Sequence, residues 1–430
     1  MEHMGNDNWP NMSDDDSAKS VVPRVENRIP DFIATAASGY MPLAILGGLV
    51  GASLICMLFL KPSPHDYCVR GAAYLNCDPP TVQQLAAMSP SEISYRDRGR
   101  AYLRMGEYAR AIDDLNEALR RDPADTESLL NRASALQQVG DDDRALADYA
   151  ASFRRGDRNH DTYLGRGKLF TRQGDYIRAI VDFTHAVDLA PRNSEAYIWR
   201  GYNYVRIGDD QAALVDLDKA GALDDHNVDV WRYRAGALYR LRQYAEAGRS
   251  VGRGIALVQD PREAPELWYY RALVTAKLSP ASAAATSAVR ADLATANESS
   301  DDDAPLLVML CVDTTLLGFL DLATSPCDRA AKHPDDKGNA LGARGYLKMR
   351  LGQWAQAAID LEGSLGAAPH NANTLYMHAY VKERLGDTLA AQQDYADARN
   401  RDGNIDDAMR DLGIAPGTTS LGPVAPRQMP

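Results

Sequence analysis

Hydrophobic residues follow two distinct patterns along this chain, one near its start and one through the remainder. No charged residue occurs from Phe32 to Leu60, and positions 43–60 are almost purely apolar. Because about 20 helical residues cross the hydrocarbon core of a bilayer, this pattern predicts one transmembrane helix within residues 32–61. The apolar run is long for a secretory signal and no good cleavage motif follows it, which favours a permanent anchor over a cleaved signal peptide.

From about residue 92 the apolar positions recur with the period of amphipathic helices, and the pattern itself repeats. The segment 98–123 (RGRAYLRMGEYARAIDDLNEALRRDP) is repeated at 166–191, 68 residues further on, which is twice a unit of 34 residues. Further copies occupy 132–157, 200–225, 234–255, 344–369 and 378–402, with more divergent ones at 266–293 and 305–334.

These segments resemble the tetratricopeptide repeat, a helix–turn–helix unit of about 34 residues that stacks into solenoids. The family expects small residues where the two helices of a unit touch, and the first unit has Gly99, Ala111 and Ala118 there. The third unit has Gly167 and Ala186 at the corresponding places. The resemblance implies an all-α superhelical solenoid of about eight repeats that binds proteins.

The two patterns together predict the domain organisation of the chain. A polar stretch near residue 300 is interpreted as a loop between two blocks of repeats, and a short helix at the end of the second block is expected to cap its exposed apolar end. The predicted segments are a disordered acidic tail (1–31), the transmembrane helix (32–61), a linker (62–91), a first repeat block (92–298), a second repeat block with its capping helix (299–412) and a disordered C-terminal tail (413–430).

Oppositely charged residues recur at a fixed spacing in the repeats. An arginine precedes the first small residue of most units, and an aspartate follows it 16 residues later, as in Arg98 with Asp114 and Arg166 with Asp182. Antiparallel helices place these two positions at a similar height above the turn. We therefore interpret the pattern as an ion pair between helices, repeated along the array, rather than as a binding surface.

A second series of arginines lies near the end of each first helix. In the tetratricopeptide family this position tends to line the concave face, so the resemblance predicts a partner-binding groove for an acidic or extended peptide. The helix dipole, which favours cations near helix C-termini, is the alternative explanation and stays open. The groove residues are Arg104, Arg172, Arg206, Arg240, Arg350 and Arg384, with Tyr202, Tyr346 and Tyr380 on the same face.

The family's clamp for chaperone C-termini can be checked at the residue level. Arg96, Arg100 and Asn131 loosely fit its first part, but Asp161 and Gly165 stand where the third unit should supply cations. The clamp is incomplete, and we do not predict that this chain binds chaperone tails.

Four of the five cysteines follow the predicted span, and they fall into two pairs. Cys68 and Cys77 could close a small loop, and Cys311 and Cys327 lie on the two helices of one unit; free thiols are the alternative for both pairs. Since disulfides form in oxidising compartments, we expect a cytoplasmic N-terminus in an inner or organellar membrane and a periplasmic or lumenal repeat domain. The slight excess of basic residues before the span agrees with this orientation.

Small residues recur four apart within the predicted span, as Gly47 with Gly51 and Gly48 with Ala52. Such spacing lets two membrane helices approach closely, although glycine is common in membrane helices in any case. This face is predicted to pack against another transmembrane helix.

The net charge and the motif content of the sequence exclude several classes of function. A net charge of −12 argues against a general nucleic-acid role, and no phosphate loop, zinc-binding spacing or nucleophile elbow occurs. We expect no enzyme activity, no cofactor and no small-molecule substrate. The predicted function is a membrane-anchored scaffold or adaptor that binds proteins during assembly or stabilisation of a membrane or envelope complex. The alternatives are an accessory subunit held in a large membrane complex by its transmembrane helix, and a membrane adaptor that faces the cytoplasm.

Overall fold

The repeating pattern folds into pairs of antiparallel helices. The computed structural model describes residues 82–87, 94–280, 282–301, 303–333, 337–418 and 420–422. A short helix, α1 (Val82–Ala87), lies within the predicted linker. Nine helical hairpins follow in the described residues, one more than predicted: α2 (Tyr95–Arg104) with α3 (Tyr108–Arg121), α4 (Thr126–Gln138) with α5 (Asp142–Arg154), α6 (His160–Arg172) with α7 (Tyr176–Leu189), α8 (Ser194–Ile207) with α9 (Asp210–Leu223), α10 (Val228–Arg240) with α11 (Tyr244–Leu257), α12 (Glu266–Leu278) with α13 (Ala283–Ser299), α14 (Ala304–Leu316) with α15 (Leu320–Lys332), α16 (Lys337–Arg350) with α17 (Trp354–Ala367), and α18 (Ala372–Leu385) with α19 (Thr388–Arg401).

Local sequence signals start and stop these helices. The side chains of Asn159, Asn193 and Asp209 accept hydrogen bonds from the first turns of α6, α8 and α9, and so satisfy backbone N–H groups that have no partner within the helix. Helix α8 ends at Gly208, whose φ of 84° lies in the left-handed region that glycine adopts without a steric penalty. The hairpin turn is therefore fixed by residues at its two ends.

Small residues let the two helices of a hairpin touch. A Cβ atom added at Gly167 of α6 would lie 2.8 Å from the ring of Phe183 on α7, and one added at Gly99 would lie 2.8 Å from Leu115. Phe183 and Leu115 have no exposed surface. The large residue of one helix thus fills the space left by the small residue of the other, as the sequence pattern predicts.

The predicted ion pairs between helices are present. Arg166 donates from Nε and Nη2 to the two carboxylate oxygens of Asp182, both at 2.7 Å. The same bidentate contact joins Arg98 to Asp114, Arg132 to Asp148, Arg200 to Asp216 and Arg344 to Asp360. In the last hairpin His378 takes the arginine position and contacts Asp394 at 2.8 Å.

Several of these arginines also reach the preceding hairpin. The free Nη1 of Arg200 donates to Thr184 at 3.2 Å, and the Nη1 of Arg132 donates to Asn116 at 2.7 Å. Arg344 reaches Asp328 in the same way, at 3.3 Å. One guanidinium thus connects its own helix to the second helices of two successive hairpins.

The structure corrects the prediction of a long loop near residue 300. Helix α13 continues through this stretch to Ser299, because Val289, Leu293 and Ala296 bury one face of it against α12 and α14. Only residues 300–303 separate α13 from α14. The polar residues of this stretch lie on the outward face of the helix. The division of the array into two blocks at 298 stays a prediction.

The C-terminus is also more ordered than predicted. Helix α20 (Ile405–Asp411) lies where the sequence predicts a capping helix, and it buries Ile405 and Met409. The chain then turns back across α16 and α18, although the sequence predicts a disordered tail from residue 413. Ile414 is fully buried, and Leu421 packs against the core of the last hairpins. These two aliphatic residues, which lie among glycine and proline, hold the described part of the tail in place.

The structure leaves the predicted membrane anchor untested. None of the helices among the described residues has the length and apolar character needed to cross a bilayer. The predicted span at 32–61, with its packing residues Gly47, Gly48, Gly51 and Ala52, lies outside the described residues, as do Cys68, Cys77 and the predicted disordered tail at 1–31.

Candidate partner-binding surface

A polar cleft opens between the second and third hairpins, on the face formed by their first helices. It has a volume of about 580 Å³ and is lined by α4 and α6, mainly through Thr126, Glu127, Asn131, Ser134, Gln138, Asp161, Lys168 and Arg172. We call it the front cleft. Its wall carries cations and anions together, so it is mixed in charge where the sequence predicts a basic groove.

Asn131 carries an unused hydrogen-bond donor in the front cleft. Its Nδ2 atom is buried and has no hydrogen-bond partner among the described residues. An amide N–H group that is shielded from water and left unpaired costs about 1–3 kcal/mol. A bound backbone carbonyl would satisfy this donor.

A buried polar pair forms the floor of the front cleft. Tyr149 is 1% exposed, and its hydroxyl donates to Gln137 at 3.1 Å. Gln137 in turn donates to the carbonyl of Gly165 at 2.9 Å, which connects α4 to α6. Burial raises the pKa of Tyr149 to about 12, so its phenol stays protonated and remains a donor at neutral pH. These hydrogen bonds fix the residues of the floor, whereas the side chains at the rim are the ones that a ligand would contact.

Two cations that resemble part of the chaperone clamp are already paired. Arg100 donates to Glu127 at 2.5 Å and to Asp97 at 3.0 Å. Arg96 lies 3.5 Å from Glu127. Both arginines contribute to contacts between the first two hairpins.

Two arginines of the predicted groove join neighbouring hairpins. Arg240 makes a bidentate contact with Asp210, which lies 30 residues earlier at the start of α9. Burial lowers the pKa of the Arg240 guanidinium, but its hydrogen bonds to Asp210, together with the electrostatic effects of Tyr270 and Asp210, more than offset this and the net shift is upward. Arg172 reaches Asp142 at 2.9 Å and the carbonyl of Gln137 at 2.8 Å in the same way. The two partners are 30 residues apart in both pairs, and this shared spacing in the sequence would have identified them.

The remaining groove residues of the first five hairpins occupy different surroundings. Arg206 donates to the Tyr202 hydroxyl at 2.9 Å and lies over the Tyr176 ring at 4.9 Å. The Tyr202 ring also packs against Tyr233, with centroids 4.9 Å apart. Arg104 is exposed at the end of α2 and makes no ion pair within the part of the chain that the structure describes. These residues form no single continuous basic stripe.

The four groove residues of the last two hairpins contact the chain's own C-terminal residues. Arg350 donates to the carbonyl of Gly422 at 2.8 Å, and Arg384 donates to the carbonyl of Thr418 at 2.8 Å. The hydroxyls of Tyr346 and Tyr380 lie 3.2 Å from the Leu412 carbonyl and 3.3 Å from the Thr418 hydroxyl, respectively. The sequence identified these four residues as one surface but gave no indication of what covers them.

The structure brings together one predicted cysteine pair. Cys311 and Cys327 are disulfide-bonded, with Cα atoms 4.7 Å apart, and both are fully buried. They occupy the positions at which other hairpins place a small residue against a large one. Leu310 and Pro326 stand where those hairpins have the arginine and the aspartate.

Models of known protein families match the first three hairpins. Two family models, each described as tetratricopeptide repeat, match residues 96–160 and 160–193. Residues 96–193 are tetratricopeptide repeats. The first three hairpins are the matched units, and the later hairpins continue the same helix pairing. Repeats of this kind typically form non-catalytic scaffolds for protein partners.

Solved structures with similar helix arrangements come from several bacteria. A tetratricopeptide repeat protein from Parabacteroides merdae is 17% identical, with 66% of this chain and 96% of that chain covered and a TM-score of 0.41. MamA from Desulfovibrio magneticus RS-1 is 21% identical over 38% and 92% of the two chains, with a TM-score of 0.36. PilF of Pseudomonas aeruginosa is 20% identical over 44% and 91%, with a TM-score of 0.38. No curated protein matches the sequence. These low identities and TM-scores carry no information about what this chain binds.

Proposed function

We propose that this tetratricopeptide-repeat protein is a membrane-tethered, non-catalytic scaffold that holds an extended segment of a protein partner in its front cleft. The observation that carries the proposal is the buried amide of Asn131, whose Nδ2 donor has no hydrogen-bond partner among the described residues. A peptide carbonyl is the commonest acceptor that a protein partner can bring. The partner would belong to a membrane or envelope complex that the scaffold assembles or stabilises.

The charges of the cleft favour a polar partner segment of mixed charge. Lys168 and Arg172 lie on one wall, while Glu127 lies on the other and Asp161 lies beside the cations. Lys168 is itself 2.5 Å from Glu195 of the next hairpin, and Arg172 is paired with Asp142. A strongly acidic segment would have to displace these carboxylates, so hydrogen bonding to the partner's backbone is the better basis for recognition.

The membrane tether in this proposal rests on the uncharged stretch from Phe32 to Leu60. The placement of the repeats in a periplasm or lumen is supported by the bonded pair Cys311 and Cys327, because disulfides persist in oxidising compartments. A scaffold held beside the bilayer would meet membrane-bound partners at a raised effective concentration.

The cleft can be tested by affinity capture from detergent-solubilised membranes. Asn131→Ala combined with Lys168→Ala removes an unpaired donor and one rim cation, and we expect the partner recovered with the wild-type chain to be lost. Arg249→Ala is the matched control, because Arg249 is exposed on α11 and pairs only with Glu246, one turn away. Equal recovery by the cleft variant and the control, at equal helical content, would refute binding in the front cleft.

The tether can be tested separately by alkaline carbonate extraction of membranes that contain the full chain. We expect the wild-type chain to stay with the membrane pellet. A variant with Leu49→Arg and Leu54→Arg should be extracted, because each arginine near the centre of a span costs about 2.5–3.5 kcal/mol on the insertion scale. Protease treatment of closed vesicles of known orientation then reports the side on which the repeats lie.

A further inference from the structure

The last two hairpins carry a second binding surface, distinct from the front cleft. It is formed by Tyr346 and Arg350 of α16 and by Tyr380, Glu383 and Arg384 of α18, and we call it the rear groove. Residues 413–418 and 420–422, here called the tail segment, lie across it. The contacts between the two show what kind of ligand this surface accepts.

Most polar contacts of the rear groove are made to main-chain atoms. Arg350 and Arg384 each donate to a carbonyl of the tail segment at 2.8 Å, and Glu383 accepts the backbone N–H of Gly417 at 3.0 Å. Main-chain groups are common to all peptides, so these contacts select a backbone conformation more than a sequence. The hydroxyl contact between Tyr380 and Thr418 adds one side-chain preference.

Apolar anchors supply the rest of the contact. Ile414 is fully buried, and Leu421 packs against the core cluster that contains Tyr346, Tyr376 and Tyr380. The tail segment, GIAPGTTSLG in sequence with Thr419 outside the described residues, carries no charged residue. A cationic groove that is covered by an uncharged segment uses its guanidinium groups as hydrogen-bond donors rather than as counter-ions.

The tail segment forms a closed loop on the rear groove. Its two ends bond to each other, with the Gly422 N–H donating to the Gly413 carbonyl at 2.8 Å. Gly413 has a φ of 76°, and a Cβ atom there would collide with the Gly422 carbonyl. Two aliphatic side chains and a few hydrogen bonds fix the segment, and surface segments of this kind open without unfolding of the whole protein.

We propose that the rear groove is a binding site for a looped, uncharged peptide with aliphatic anchors, and that the tail segment occupies it in cis as a competitor. Arg350 and Arg384 stand at the same repeat position as Arg172, which also donates to a main-chain carbonyl. In the third hairpin that carbonyl belongs to the first helix of the preceding hairpin. In the last two hairpins it belongs to a segment that can leave.

The test uses the full chain and a fluorescent synthetic peptide of residues 413–422 as the probe. Ile414→Ser with Leu421→Ser weakens the anchors of the tail segment, and Gly413→Val opens it independently by steric conflict. We expect both variants to bind the probe about tenfold or more tighter than the wild-type chain in fluorescence anisotropy, because apparent affinity scales with the open fraction. Adding Arg350→Ala and Arg384→Ala to either variant should abolish the binding.

Three outcomes would overturn the proposal. The first is a folded variant that fails to bind the probe although hydrogen exchange shows that its tail amides are released. The second is equal binding by the wild-type chain and both variants. The third is loss of helical structure in both variants, which would make the tail segment a part of the fold and not a displaceable ligand. Partner capture at the front cleft is unaffected by all three, so this proposal and the proposed function can fail separately.

Discussion

The third and seventh hairpins each join their two helices at the same height, but with different bonds. In the third, Arg166 and Asp182 connect the two helices through paired hydrogen bonds, and Phe183 fills the space beside Gly167. In the seventh, Cys311 and Cys327 form a covalent link one position further along each helix. The comparison shows that ionic and covalent contacts can both join the helices of a hairpin at this height, and in the fifth hairpin a hydrogen bond from Arg234 to Ser250 takes this place.

The two solutions differ in what they depend on. A carboxylate and a guanidinium stay charged over the physiological pH range and are indifferent to thiol reagents. A disulfide is insensitive to moderate pH but is lost under reducing conditions. The seventh hairpin is therefore the one described unit whose cohesion follows the redox state of its compartment.

The largest effect is expected from the packing partner in the third hairpin. Phe183→Ala should lower the free energy of unfolding by about 3–5 kcal/mol, because a fully buried aromatic side chain is replaced by a cavity. The measurement is chemical denaturation followed by circular dichroism. Val181→Ala is the matched control, since Val181 lies two residues away and is 52% exposed. A loss below about 1 kcal/mol for Phe183→Ala would contradict the packing described here.

Removal of the disulfide comes next. Cys311→Ala with Cys327→Ala should lower the free energy of unfolding by about 3 kcal/mol, the value expected for a closed loop of about 15 residues. Reduction of the wild-type chain with dithiothreitol should have the same effect and should leave the double variant unchanged. If a reductant alters the stability of the double variant as much as that of the wild type, the assignment of the effect to this pair is wrong.

Removing the guanidinium of the third hairpin should have a smaller effect. Arg166→Ala leaves the carboxylate of Asp182, which is 2% exposed, without its bidentate partner. We expect a loss of about 1–3 kcal/mol, the cost of an unsatisfied buried acceptor. Replacing both residues, as Arg166→Leu with Asp182→Leu, should recover part of this loss because no charge is then left buried. A double variant less stable than Arg166→Ala would contradict this account.

Acid should act more strongly on the third hairpin than on the seventh. Hydrogen bonds from the Arg178 side chain and backbone lower the pKa of Asp175, the N-cap of α7, whereas α15 begins after Phe319 without a side-chain cap. Because the pKa of Asp175 is lower in the folded than in the unfolded chain, its stabilising effect is present above about pH 4 and is lost as the pH falls further.

Hydrogen exchange at acidic pH measures this last and smallest effect. We expect exchange at the first turn of α7 to rise relative to that of α15 as the pH falls below about 4. Asp175→Asn is the control, because asparagine caps a helix without a titratable charge. Identical pH dependence in Asp175→Asn and the wild type would show that Asp175 is not responsible.

Contacts that repeat with the unit were predictable from the sequence, whereas contacts outside the unit were not. The spacing of 16 residues between Arg98 and Asp114 identifies an ion pair because both residues lie in one hairpin, whose geometry is fixed by its turn. The pairing of Arg240 with Asp210 depends on how two hairpins stack, so the sequence of one unit does not encode it, and only the same separation in Arg172 and Asp142 points to it.

The same distinction between contacts within a repeat and contacts outside it applies to the candidate sites. Tyr346, Arg350, Tyr380 and Arg384 were identified as one surface from their common repeat position. Their contact with the tail segment involves residues that belong to no repeat, so no periodicity could reveal it. The order of the tail segment depends on Ile414 and Leu421, two apolar residues in a glycine-rich stretch whose composition is typical of disorder.

The guanidinium of Arg200 contacts both Asp216 in its own hairpin and Thr184 in the preceding one. Unfolding of either hairpin would remove one hydrogen-bond partner of this guanidinium. Disorder in one hairpin therefore lowers the stability of the next. Between the sixth and seventh hairpins Leu310 replaces this arginine, and the contacts of Arg290 with Asp321 and of Tyr269 with Asp313 join the two hairpins instead. Coupling between neighbours at this point therefore depends on residues that the repeat pattern does not specify.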